Sequence, residues 1–148
     1  MKRFQFPLGR VRRWRSEQAG VEELKLQQLR AESARLTSAR LEIEAEGQRS
    51  AQEVLSQKSL DPLQLTSMES YGLHLRRRTY ELSNLERQAE AKVGEQRQRV
   101  IEARRRFELL DRLHQKAWQE WVAAGNKEQE DLASELFLAR VVRKRSAR

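Results

Sequence analysis

Apolar residues fall along this chain in two long stripes with one interruption between them. In the second stretch, Met68, Leu75, Leu82, Ala89, Gln96, Ala103, Leu110 and Ala117 recur every seven residues, and Gly72, Thr79, Glu86, Val93, Val100, Phe107, His114 and Trp121 hold the companion positions. A seven-residue repeat keeps one face of an α-helix against a partner, so this stretch predicts a coiled-coil seam with some polar members. The first stretch is rougher. Leu8, Val11, Leu26, Leu29, Leu36, Ala39, Ile43, Gly47, Ala51 and Val54 drift between 3.5 and 3.6 spacing, yet still separate a wet side from a dry one.

Proline stands only at positions 7 and 62, so the residue that most surely breaks a helix is absent from both stripes. The corner reads SLDPLQL. Asp61 suits an N-cap, Pro62 the first helical position, Gln64 the reciprocal partner of a capping box, and Leu60 and Leu65 have the spacing of a hydrophobic staple. These signals predict helix 1 over about 7–56, a turn over about 57–61 and helix 2 over about 62–124. Gly125-Asn126, with Gln129 three places on, signals a kink and a helical extension over about 127–144; an unbroken helix is the alternative.

A short corner between two amphipathic helices is satisfied most cheaply by an antiparallel hairpin, the whole chain forming one elongated all-α coiled-coil domain with the second helix longer. Facing residue numbers then sum to about 119 and helix 1 runs about 75 Å. In this register Gly47 faces Gly72, which marks either a close approach of the two backbones or two weak spots costing about 1 kcal/mol each relative to Ala. Glu42, Glu44 and Glu46 approach Arg76, Arg77 and Arg78, Glu22 and Glu23 approach Arg97 and Arg99, and helix 2 projects past the start of helix 1.

Composition narrows the function. Of 148 residues 35% are charged and the net charge is +8, which favours acidic partners of any kind. Cysteine is absent, which removes disulfides and thiolate chemistry. Met1-Lys2-Arg3 lacks the apolar run of a signal peptide, and no stretch is long enough to span a bilayer; a soluble, intracellular protein is expected. His74 and His114 lie far apart with no carboxylate or cysteine arrangement around them, and the glycines form no phosphate loop. No enzyme activity, cofactor or metal is therefore expected, and function falls to surfaces and ends.

Three surfaces exceed what a hairpin needs for itself. Phe4, Phe6, Leu8, Val11 and Trp14 run beside Arg3, Arg10, Arg12, Arg13 and Arg15, with no acid before Glu17. One reading has the apolar members closing the hairpin's open end against Phe107, Trp118 and Trp121. The other sets Arg12 to Arg15 against Arg104, Arg105 and Arg106, a like-charge face that an acidic partner would neutralise. Leu73 and Tyr80, one heptad apart and outside the seam, with His74 alongside, form a candidate contact strip. The third surface is the basic tail from Arg140 to Arg148.

The opening MKRFQFPLGRVRRWR resembles the start of the flagellar FliJ family, the small coiled-coil stalk of the flagellar type III export apparatus. Phe4, Phe6, Leu8 and Val11 before a basic run carry the likeness, with KAWQEW late in helix 2, NKEQEDLASELFLAR after it and a basic terminus. The resemblance implies a cytoplasmic protein, peripheral at the inner membrane through its partners, that works in flagellum biogenesis and motility. It would engage the hexameric export ATPase, contact the membrane-embedded export gate and handle substrate chaperones. Phe4, Phe6, Leu8, Val11, Arg12, Arg13, Trp14 and Arg15, with Arg105 and Arg106, would then form the end that enters the ATPase ring, while Tyr71, Leu73, His74 and Tyr80 would face the gate. A different class of reading is a basic coiled coil that binds nucleic acid without sequence preference, supported by a pI near 10.4. Against it, basic residues fall around helix 2 at many angles among Glu and Asp, and no basic region separates from a zipper. A third places the opening segment on a membrane surface.

Overall fold

A computed structural model describes residues 3–146; Met1, Lys2, Ala147 and Arg148 lie outside the described residues. The chain is all-α, with helix α1 over Gly9–Leu55 and the longer α2 over Pro62–Ser146 packed as an antiparallel hairpin. It divides into two compact units: residues up to Ala19 together with those from Ala103 onward, and the stretch Gly20–Glu102.

Both helix boundaries follow from local chemistry. Pro7 removes one backbone donor, and α1 starts just after it, the Gly9 N–H reaching the Phe6 carbonyl at 3.0 Å and the Arg12 N–H the Leu8 carbonyl at 2.8 Å. At the other end the Ser56 hydroxyl donates to the Glu53 carbonyl at 2.7 Å and the Gln57 N–H to the Val54 carbonyl at 3.1 Å, satisfying acceptors that the helix leaves open. The start of α2 bears out the capping reading: Gln64 reaches back to accept the Asp61 N–H at 3.4 Å, and the Asp61 carbonyl accepts the first helical bond from Leu65 at 3.1 Å. Leu60 and Leu65 both stay exposed, so the staple adds little.

α2 differs from expectation after its seam. It continues through Gly125 and Asn126 to Ser146 without a new start at Lys127. Among the described residues none has positive φ, so the backbone never makes the left-handed turn by which a glycine usually ends a helix.

In the unit Gly20–Glu102, Leu26, Leu82, Ala89, Val100 and Gln96 are buried, all at positions of the two stripes. Gln96 is 5% exposed and polar, and its amide donates to the Glu22 carbonyl at 3.0 Å and also to the Glu22 carboxylate. Its burial is tolerable because these bonds satisfy it. The opposed pairs Gln96 with Glu22 and Tyr71 with Glu46 lie within one helical turn of the expected register. Glu22, its pKa lowered chiefly by the Gln96 bond, also lies within the field of Arg99 as expected, but Glu44 and Arg78 pair differently from expectation. Glu86 of α2 takes Arg40 of α1 at 2.8 Å, Glu44 pairs with Arg40 of its own helix at 2.8 Å, and Arg78 with Glu81 of its own helix at 3.2 Å. Side chains four or three apart on one helix meet without any cross-helix match, which is why a register argument overlooks them. A Cβ at Gly47 would meet Leu75 at 3.5 Å, ordinary contact, and one at Gly72 would meet nothing. The two glycines therefore do not mark a tight crossing.

Candidate functional site

In the unit that contains the opening segment, the aromatic residues find one another. Phe4 packs edge-on to Trp118, ring centres 5.0 Å apart, and to His114 at 5.6 Å, and lies tilted to Trp121 at 5.8 Å. Phe6 meets the same His114 edge-on at 5.1 Å, and Trp118 and Trp121 lie 5.1 Å apart. Edge-to-face geometry sets the positive rim of one ring on the negative face of the next. Of the two readings of this segment, the first describes Phe4 and Phe6, which are half-buried against α2. So engaged, neither phenylalanine ring is free to enter a bilayer. Leu8, Val11 and Trp14 instead face solvent, although the stripe pattern puts Leu8 and Val11 on the dry side.

The arginines divide in a way that periodicity does not reveal. The expected register sets Arg12 against Arg104, Arg105 and Arg106. It lies instead 5.8 Å over the ring of Phe107 and binds Asp111, Nε at 2.9 Å and Nη2 at 2.5 Å from the same carboxylate oxygen. A one-turn offset replaces repulsion with a half-buried ion pair and a cation–π contact. Gln115 donates to the other Asp111 oxygen at 3.1 Å, fixing the carboxylate. Asp111 is the residue that sequence reasoning missed; the signal was an acid one turn beyond Phe107 on the arginine-rich face. Arg15 stacks over Trp14 at 4.6 Å. Arg10, Arg13 and Arg105 are exposed.

The Tyr71 strip lies in the other unit, beside a groove of about 1230 Å³ between α1 and α2 that includes Gly47, Gly72, Leu73 and Tyr80 among its walls. The missing side chains of the two glycines help open it. Leu73 is 59% and Tyr80 67% exposed, and His74 is exposed beside Thr66 and Ser70 on a shallow hollow. Tyr71 differs from these. Its hydroxyl donates to the Glu46 carboxylate, and that bond to an anion raises the phenol's pKa above its ordinary value of 10.0, keeping the proton in place.

Farther along the same interface, Glu86 accepts from Arg40 and from the Thr37 hydroxyl, and Glu22 from Gln96 and Lys25; both carboxyls are held below their ordinary pKa, Glu86 chiefly by the Arg40 bond and Glu22 chiefly by the Gln96 bond. These groups clamp the hairpin and lie away from the strip. Among the described residues no group of three or more His, Asp or Glu side chains is placed to hold a metal ion, and no helix is long and apolar enough to cross a membrane.

Fold and surfaces together define a helical hairpin with one basic, aromatic-buttressed face and one apolar strip beside a groove. Comparison with protein-family models, curated proteins and solved structures finds no match for the chain.

Proposed function

We propose that this chain is a non-enzymatic adaptor of the flagellar type III export apparatus, engaging the hexameric export ATPase and coupling it to the membrane export gate and to substrate chaperones. The observation that carries the reading is the buttressing of the opening segment. Phe4 and Phe6 fasten it to His114, Trp118 and Trp121, while Leu8, Val11, Arg13 and Trp14 remain on the solvent side. A surface preorganised in this way loses little side-chain or backbone freedom when an acidic partner docks, which favours binding. The resemblance of the opening sequence to the FliJ family supplies the identity of that partner. Leu73 and Tyr80, exposed beside the groove, supply the second contact, to the gate.

Co-purification with the export ATPase tests the first contact. Val11→Ser with Arg13→Glu removes an apolar and a cationic group that face solvent, and affinity is expected to fall at least about tenfold. Unchanged affinity would remove the basic face from the interface. Leu73→Ala with Tyr80→Ala is expected to weaken binding of the gate protein and leave ATPase binding intact; equal gate binding by that variant would dispose of the strip.

A further inference from the structure

Beyond the seam, α2 carries a surface that neither contact uses. Every side chain from Asn126 to Ser146 is exposed. A helix normally draws most of its stability from packing one face, and here no described side chain covers any. Continuing the heptad of the seam leads to Glu128, Asp131 and Glu135 before it reaches Leu138 and Val142, so three carboxylates in succession interrupt the positions at which a helical partner would need apolar groups. After Glu135 the character changes. Phe137, Leu138, Val141 and Val142, exposed by 67, 61, 42 and 62%, share an arc, and Arg140, Arg143 and Lys144 share the opposite one.

At 100° per residue the four apolar side chains fall within about 140° and the three basic ones within about 100°. Arg145 lies inside the apolar arc at its last turn, where its long stem can lie along apolar surface with the charge at the edge. Leu136 lies with the basic group. No acid follows Glu135 in the sequence. An apolar arc backed by a cationic one, too short to span a bilayer, is the pattern of a helix that lies in the plane of a lipid surface.

We propose that the segment 136–146 docks on an anionic bilayer surface, its apolar arc entering the acyl boundary and its basic residues meeting lipid phosphates. Charge complementarity favours this occupant: an anionic bilayer answers both arcs, whereas a second copy would pair the apolar arcs and leave the cations unanswered, and nucleic acid would reward the cations alone. The contact is independent of the adaptor reading, since it needs neither ATPase nor gate.

The test is co-sedimentation of the full chain with vesicles of phosphatidylcholine alone and of phosphatidylcholine mixed with phosphatidylglycerol, with helix content followed by circular dichroism. Binding is expected only to the mixed vesicles, with the helix signal retained. Near an anionic surface each Lys or Arg contributes about fivefold, so Arg143→Glu with Lys144→Glu lowers affinity by at least about 25-fold. Phe137→Ser with Val141→Ser lowers it by at least about tenfold. Because these positions are exposed, neither variant should shift the unfolding midpoint of the hairpin. Failure to sediment with mixed vesicles overturns the proposal. So does an unaltered affinity in the Phe137/Val141 variant, the mark of a purely electrostatic polyanion contact. Concentration-dependent dimerisation in the ultracentrifuge that this variant abolishes would assign the arc to a second copy instead.

Discussion

Replacing Phe4 by alanine isolates the buttress on which the basic face depends. The ring makes three aromatic contacts, with Trp118, His114 and Trp121 at 5.0, 5.6 and 5.8 Å. Removing a fully buried phenylalanine costs about 3–5 kcal/mol, and each aromatic pair contributes about 0.5–1.5 kcal/mol beyond its area. Phe4 is only half-buried, so roughly half of the full cost applies; three pairs at the lower bound give a similar figure, and the expected loss is about 2 kcal/mol. The assay is urea unfolding followed by tryptophan emission in a Trp14→Phe background, so that the signal reports Trp118 and Trp121. Phe4→Ala should lower the midpoint and shift native emission to the red as water reaches both indoles. Val11→Ala, at an exposed site, should change stability by less than about 0.5 kcal/mol. A Phe4→Ala protein with the parent's midpoint and emission would refute the buttress, and with it the argument that the opening segment is preorganised.

Two further outcomes concern the unit Gly20–Glu102. Gly72 lies inside α2 with φ in the ordinary range and nothing near the position of a Cβ, so Gly72→Ala should raise stability by about 1 kcal/mol in urea unfolding; a loss would contradict an open groove wall at this position. Glu22 and Glu86 have folded pKa values below their unfolded ones, so their contribution is complete above the ordinary carboxylate range and is lost as pH falls through the depressed values. Tyr71 has the opposite sign: its raised pKa gives a contribution complete below 10.0 and lost as pH rises through the folded value. Thermal unfolding should therefore show a plateau near neutrality with a fall on each side; a midpoint that climbs on acidification would contradict the assignment.

Apolar spacing, the capping signals of SLDPLQL and the shortness of that corner are enough to anticipate both helices, the start at Pro62, the antiparallel pairing and the buried positions Leu26, Leu82, Ala89, Gln96 and Val100. Each rests on a local rule: a capping box needs only neighbouring residues, and a heptad seam only its own period. What escapes is anything that turns on register to better than one turn. Seen at the expected offset, Arg12 faces other arginines; one turn away it has Phe107 beneath it and Asp111 beside it. Likewise the register gives Glu44 a partner on α2, whereas Arg40 of its own helix takes it. Long side chains choose among several partners within reach, and the choice depends on distances of a few ångströms that periodicity does not carry. The continuity of α2 through Gly125 has a different origin. A glycine in a helix costs about 1 kcal/mol relative to alanine, which weakens a helix without ending it when no left-handed turn follows.

The same distances change how net charge bears on partners. A charge of +8 suggests cations in excess everywhere, yet Arg12 is neutralised by Asp111, Arg40 by Glu86 and Glu44, and Arg15 lies on an indole. A cation already held in an ion pair gains little from a second anion, because leaving the first forfeits a bond and moving both costs side-chain freedom. Binding energy must therefore come from cations that carry no such commitment and that lie beside apolar groups able to exclude water. Arg10, one turn before the exposed Trp14, meets that condition in the first unit, as do Arg140, Arg143 and Lys144 with the arc of Phe137 to Val142 farther along α2. These two groups differ in what backs them. The first is fastened by Phe4 and Phe6 onto three aromatic side chains and so presents a fixed shape, suited to a folded protein; the second has nothing behind it and can adapt, suited to a fluid surface.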